Sequence, residues 1–188
     1  MDHSESLHTL VFSRPGRGNT EATLEAAAQR AEALGIEQMV VATTTGRTPL
    51  AAVEHFGGRV IAVTLSAGHW QTYSPPDPEL IAECEDRGVK VLTGTHTLLG
   101  GMDAAARSIG GLSAAEVMAR TYYTFGQGMK VAVECALMAA DAGALEMERE
   151  AITIAGTGGG ADTALVVQPA FSNTAFDLRI REIIAMPR

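Results

Sequence analysis

The sequence predicts an α/β fold, a three-layer α/β/α sandwich on a mostly parallel sheet, extended by C-terminal β strands. Three observations predict it. Apolar strands alternate with amphipathic helices in the order β-α-β-α-β-α-β-α-β. The strand at 59–65, Arg-Val-Ile-Ala-Val-Thr-Leu, is almost continuously apolar, as a strand covered on both faces must be. The turns leading into strands are short and stopped by Gly35, Gly57-Gly58 or Gly88, whereas those leaving strands are long and rich in Gly, Ser and Thr.

The chain has 188 residues, 46% hydrophobic and 19% charged, which suits one domain at 1–188 with a sizeable core. A net charge of −8 argues against a nucleic-acid or anionic-membrane partner. Cys84 and Cys135 lie on apolar helical stretches with no metal or C-x-x-C spacing, so both read as buried thiols in a cytoplasmic protein. The polar start, residues 1–6, lacks the layout of a signal peptide, and Lys130, Glu134 and Asp141 interrupt the most apolar helix, at 128–142.

In chain order, residues 7–12 form a first strand, and the turn Ser13-Arg14-Pro15-Gly16-Arg17-Gly18 leads to Asn19 as N-cap of a helix over 20–34. Residues 36–42 are a second strand. A helix follows over 49–56, with Pro49 in its first turn. After the strand at 59–65 come a loop from Ser66 to Pro76, a helix starting at Asp77 or Pro78 and ending at Arg87, and a strand at 89–92. A short helix fits 103–111. Ser113 caps the next, with Glu116 as its capping-box partner, and Gly126-Gln127-Gly128 separates that helix from one over 129–142. Strands at 151–155, 163–168 and 179–185 complete the chain.

In a parallel sheet the carboxyl ends of the strands share one edge, where ligands bind. The turn Thr43-Thr44-Thr45-Gly46-Arg47-Thr48 there joins hydroxyls, backbone amides and one cation at a helix start, which suits a phosphate. The loop Gly156-Thr157-Gly158-Gly159-Gly160-Ala161-Asp162, followed by Thr163, matches G-x-G-x-x-A. A strand follows it instead of a helix, so it is no dinucleotide fingerprint and serves close backbone approach. His69 and His96 also fall on this edge, without a second ligand at metal spacing, so no metal is expected. His96 suits either a structural role or ligand binding and acid–base chemistry. Lys130 and Glu134, with Asp141, form the charged stripe of the apolar helix, either its solvated face or part of the site. A hydrolase or transferase using His96, Lys130 or Glu134 is the weakest reading, because no G-x-S-x-G accompanies them.

The strand-turn Val40-Val41-Ala42-Thr43-Thr44-Thr45-Gly46-Arg47-Thr48 resembles the phosphate-holding T-x-[ST]-G-[RK]-[ST] loop in the C-terminal α/β domain of pyruvate kinases. The chain as a whole is similar to stand-alone proteins named for that domain. The residues that carry the likeness are 19–24, 89–96, 125–134, 138–143 and 158–164. The resemblance implies core strand order 3-2-1-4-5, a switch point between the first and fourth strands, and one pocket holding Asn19, Thr20, the turn 43–48 and His96. It does not imply pyruvate kinase activity, since the barrel that carries that chemistry needs roughly 250 residues by itself. It implies flavin mononucleotide (FMN) as ligand. The phosphate would sit on Thr43, Thr44, Thr45, Gly46, Arg47 and Thr48, and Gly158, Gly159, Gly160, Asp162 and Thr163 would touch the rest. Trp70, Tyr73, Tyr122, Tyr123 and Phe125 are the aromatic candidates to flank its ring. The alternative is a non-catalytic sensor of a sugar phosphate. The partner expected is a small phosphorylated ligand, and the surplus apolar surface of helix 129–142 suggests a homo-oligomer.

Overall fold

The computed structural model describes residues 4–188; the first three residues, with His3, lie outside the described part. Strand β1 (Leu10–Phe12) leads through a 3-10 turn (Arg17–Asn19) into α1 (Thr20–Leu34). Then come β2 (Gln38–Ala42), α2 (Arg47–His55), β3 (Arg59–Thr64), α3 (Pro78–Asp86) and β4 (Lys90–Thr93). The helices α4 (Gly101–Ser108), α5 (Ala114–Tyr123) and α6 (Gln127–Asp141) run in succession before β5 (Ala151–Ala155), β6 (Thr163–Gln168) and β7 (Arg179–Pro187).

Local chemistry explains most boundaries. Gly35, at φ +66°, ends α1 by returning its N–H to Ala31 and Glu32 carbonyls, a conformation that penalises any Cβ. Asp77 caps α3 by accepting from the Glu79 and Leu80 amides. Ser113 caps α5 by accepting from Glu116 N, but the Glu116 carboxylate turns to Arg120 and leaves the capping box half made. Asn19 does not cap α1. Its backbone is already helical, because the 3-10 turn runs straight into the helix, and its side-chain amide instead donates to Arg14 O at 2.8 Å.

The seven strands lie in the order β1-β7-β6-β5-β2-β3-β4, all parallel except β6, which is antiparallel to both neighbours. The expected core order 3-2-1-4-5 holds when the count starts at β2. The first strand of the chain is not the centre of that core. It pairs with β7 at the far edge, so the switch point lies between β2 and β5.

Helices cover both faces of the sheet. Leu24, Ala27 and Ala31 of α1, Ala52 of α2 and Cys84 of α3 pack on Met39, Val41, Ile152 and Ile154. On the opposite face α6 lies along Val40, Ile61, Leu165 and Val167, with α5 packed outside it through Ala119. Thr153 Oγ1 donates to Ala132 O at 2.7 Å, and the alanine-rich face of α6 allows that close approach to β5. Twelve of the fifteen α6 residues are buried within this one chain. The argument for an oligomer from its surplus apolar surface therefore lapses. No helix among the described residues is long and apolar enough to cross a membrane.

Candidate functional site

The carboxyl edge of the sheet carries the candidate residues in three places. The first is the turn 43–48 after β2. Thr43 Oγ1 accepts from Gly46 N at 2.9 Å and folds the turn back on itself. Gly46 has φ +107°, and a Cβ there would come within 3.0 Å of Leu80, so this position demands glycine. The turn delivers the chain into α2, whose first turn no side chain caps. Thr43 and Thr48 are buried, Thr44 and Thr45 half-buried, and Arg47 exposed.

The second place joins the loop after β5 to the turn after β1. Asp162 is fully buried; its Oδ2 accepts from Gly16 N at 2.8 Å and Thr157 N at 3.1 Å, and its Oδ1 from Thr163 Oγ1 at 2.9 Å. Thr20 Oγ1 accepts from Ala161 N at 2.9 Å and donates to Arg17 O. A Cβ on Gly160 would strike Thr20 and Arg17, and one on Gly128 would strike Thr163 and Asp162. Close approach is indeed what these glycines serve, but the surfaces that approach are residues 16–20 and the start of α6. Gly158 and Gly159 lie at the open side of the loop.

The third place stands on α6, facing the loops after β3 and β4. Lys130 and Glu134, at 4% and 2% exposure, are not a solvated stripe; of the three charges only Asp141 reaches solvent, where it accepts from Ser172 N. Glu134 Oε1 accepts from the Leu98 and Leu99 amides at 2.9 and 3.2 Å. Its Oε2 takes Lys130 Nζ at 2.5 Å and His96 Nδ1 at 3.4 Å. Burial pushes the Glu134 carboxyl up, but the His96 hydrogen bond and the Lys130 ammonium outweigh it and hold the group at about 2, so it is an anion. The His96 ring lies nearly parallel to that of His69, centroids 5.1 Å apart, and His69 Nδ1 shares a 2.8 Å hydrogen bond with Ser66 Oγ. The Trp70 indole donates to Leu65 O and pins this loop. Tyr123 places its ring 6.0 Å from Lys130 Nζ, and burial, Glu134 and Tyr73 push its hydroxyl up.

Asn19 and Thr20 thus pack with the glycine loop, and His96 packs with Lys130 and Glu134. β5 and β4 are three strand spacings apart, about 14 Å. The turn 43–48, after β2, lies between them. The residues that the sequence did not bring forward are Ser66 and the Leu98 and Leu99 amides; nothing in a sequence pattern marks an amide as the partner of a distant glutamate. Two surface grooves of about 750 and 640 Å³ lie elsewhere, one between the ends of α1 and α2, the other beside β7, and neither contains a candidate residue.

Fold and site together define an α/β/α ligand-edge domain, with functional groups gathered at the carboxyl ends of parallel strands around a switch point. The chain belongs to the pyruvate kinase α/β domain family, whose model matches residues 21–167. Among solved structures it is similar to Cryptosporidium parvum pyruvate kinase in complex with ADP, at 16% identity and a TM-score of 0.41. That likeness covers 78% of this chain and 22% of the other, so the chain spans about a fifth of that enzyme.

These findings correct the expectation of FMN. The family matched is that of the pyruvate kinase α/β domain, and that match does not point to a flavin. The geometry gives a physical reason. Asp162 and Thr163, expected to meet the ligand, spend their polar atoms on Gly16, Thr157 and each other. Of the aromatic candidates, Tyr122 packs on the core, Trp70 is tied to Leu65, and Tyr73 and Tyr123 stand by the histidine cluster.

Proposed function

We propose that this domain binds a small phosphorylated ligand at the turn 43–48. The observation that carries the reading is the turn itself. A glycine with positive φ, held by Thr43, opens α2 without a capping side-chain hydrogen bond, and Arg47 in its first turn supplies a fixed positive charge. The turn lies next to the switch point between β2 and β5, where open α/β sheets leave a crevice. Both cysteines are free and buried, which suits a reducing cytoplasm.

The test is thermal unfolding with inorganic phosphate and with glycerol 3-phosphate as probes. A probe at 100 times its dissociation constant stabilises the folded state by about 2.7 kcal/mol and raises Tm accordingly. Arg47→Ala should reduce the shift while leaving Tm without probe unchanged, because Arg47 is exposed and makes no ion pair among the described residues. Equal shifts in both proteins would remove Arg47 from the site, and no shift in either would overturn the reading.

A further inference from the structure

We propose that His96 is an acid–base residue of a second site, at the ends of β3 and β4, with Glu134 and Lys130 as its positioning residues and a small hydroxylated molecule as its ligand. This site does not depend on the phosphate seat. His96 Nδ1 stands 3.4 Å from Glu134 Oε2, an ionised oxygen that only accepts, and this neighbour favours the proton on Nδ1. Nε2 is then left with a bare lone pair. It has no hydrogen-bond partner among the described residues, and it is not among the buried side-chain atoms without one, so solvent reaches it. His96 turns Nδ1 toward a buried anion and presents Nε2 outward, the relation by which a carboxylate holds a catalytic imidazole in one tautomer.

A second observation lies one residue further along the chain. Thr97 Oγ1, on the residue after His96, is buried without a hydrogen-bond partner, alone in this respect among the described residues. Glu134 from α6 and His69 from the loop after β3 stand against His96, and around that pair come Lys130 on Glu134, Tyr73 beside His69, Tyr123 beside Lys130, and Arg107 from α4, which acts on Tyr123 and is tied to Leu99 O. They are polar hydrogen-bonding groups around an accepting nitrogen. The ligand they fit offers a hydroxyl to Nε2 and further oxygens to the remaining donors. The step is a proton transfer: the ligand O–H proton moves to Nε2, and the oxygen keeps the electron pair. The imidazolium then holds Nδ1–H on Glu134, and Lys130 keeps Glu134 ionised throughout.

The experiment reads the imidazole directly. In ¹⁵N-labelled protein at pH 8.5, a long-range ¹H–¹⁵N correlation spectrum should show His96 as a single tautomer, with Nδ1 protonated and Nε2 bare. The opposite tautomer, or a mixture, overturns the proposal without any variant being made. Glycerol 3-phosphate should shift the Nε2 resonance, and sulfate, which has no hydroxyl, should not. Equal shifts overturn the ligand class. If the resonance responds to glycerol 3-phosphate while the amides of 46–48 do not, the phosphate reading fails and this one stands. Diethyl pyrocarbonate, followed by peptide mass spectrometry, should acylate His96, and Glu134→Gln should slow that reaction roughly tenfold, because a neutral partner stabilises the developing imidazolium less. Unchanged reactivity in a folded Glu134→Gln protein overturns the positioning role.

Discussion

Two buried carboxylates stand at the same edge of the sheet and do different work. Asp162 and Glu134 each accept from two backbone amides. Asp162 meets only neutral donors, from the turn after β1 and the loop after β5, and none of its bonds leads outward. Glu134 meets two groups that carry or can carry a positive charge, and one of them, His96, has a second nitrogen facing solvent. The same side-chain chemistry closes one loop pair and poises the other. The difference lies in the company each carboxylate keeps: amides fasten, whereas the proposed role of the imidazole is to pass a proton.

The largest expected effect breaks that contrast at its charged end. Lys130→Met leaves Glu134 buried without its ammonium and should cost about 3–5 kcal/mol in urea unfolding. The double change Lys130→Met with Glu134→Leu should recover only part of the loss, since it removes the unpaired buried carboxylate but strands the Leu98 and Leu99 amides. Asp162→Ala strands the Gly16 and Thr157 amides and should cost less, about 2–4 kcal/mol. If Asp162→Ala proves the more damaging, the ranking of ionic over neutral burial is wrong here.

Acid tests the charged site next. Glu134 is held at about 2 against a usual 4.5, so the unfolded chain takes up its proton first. Its contribution is complete above about pH 4.5 and is lost as the pH falls toward 2. Glu134→Gln should flatten the pH dependence of stability in that window, and an unchanged slope would remove Glu134 as its source. The smallest effect sharpens the neutral site. Gly160→Ala, with positive φ and a Cβ driven into Thr20 and Arg17, should cost about 1–3 kcal/mol. Gly158→Ala, with positive φ but open space, should cost about 1 kcal/mol. Equal losses in calorimetry would mean that the loop does not pack as tightly as its contacts imply.

Periodicity and glycine stops made most of the architecture readable. The helix Thr20–Leu34 and the strands Ala151–Ala155 and Thr163–Gln168 lie where the pattern puts them. The neighbours of β1 were not readable, because three residues carry no mark of which strand they will pair with. The resemblance supplied an order of strands, but the count began one strand early. At the site, Lys130 and Glu134 posed a different problem. Spacing of i,i+4 serves a solvated stripe and a buried pair equally well. What decides between them is the pair of amides at Leu98 and Leu99, more than thirty residues upstream, and only the folded chain brings these to the helix. Asp162 was visible as part of a glycine loop. That it fastens the loop to Gly16 depends on β1 reaching the far edge, which local sequence does not encode.

The pairing of β1 with β7 has a consequence in time. Leu10 lies opposite Ala185, so almost the whole chain must be in place before this three-residue strand finds its neighbour. It has one partner strand, and Leu10 and Val11 are exposed. We expect β1 to be the last strand to dock during folding and the first to detach in native-state hydrogen exchange, with its amides opening well below the global free energy. The turn it carries to Asp162 would loosen with it, so the neutral site would breathe while the charged one, anchored on α6, stays shut.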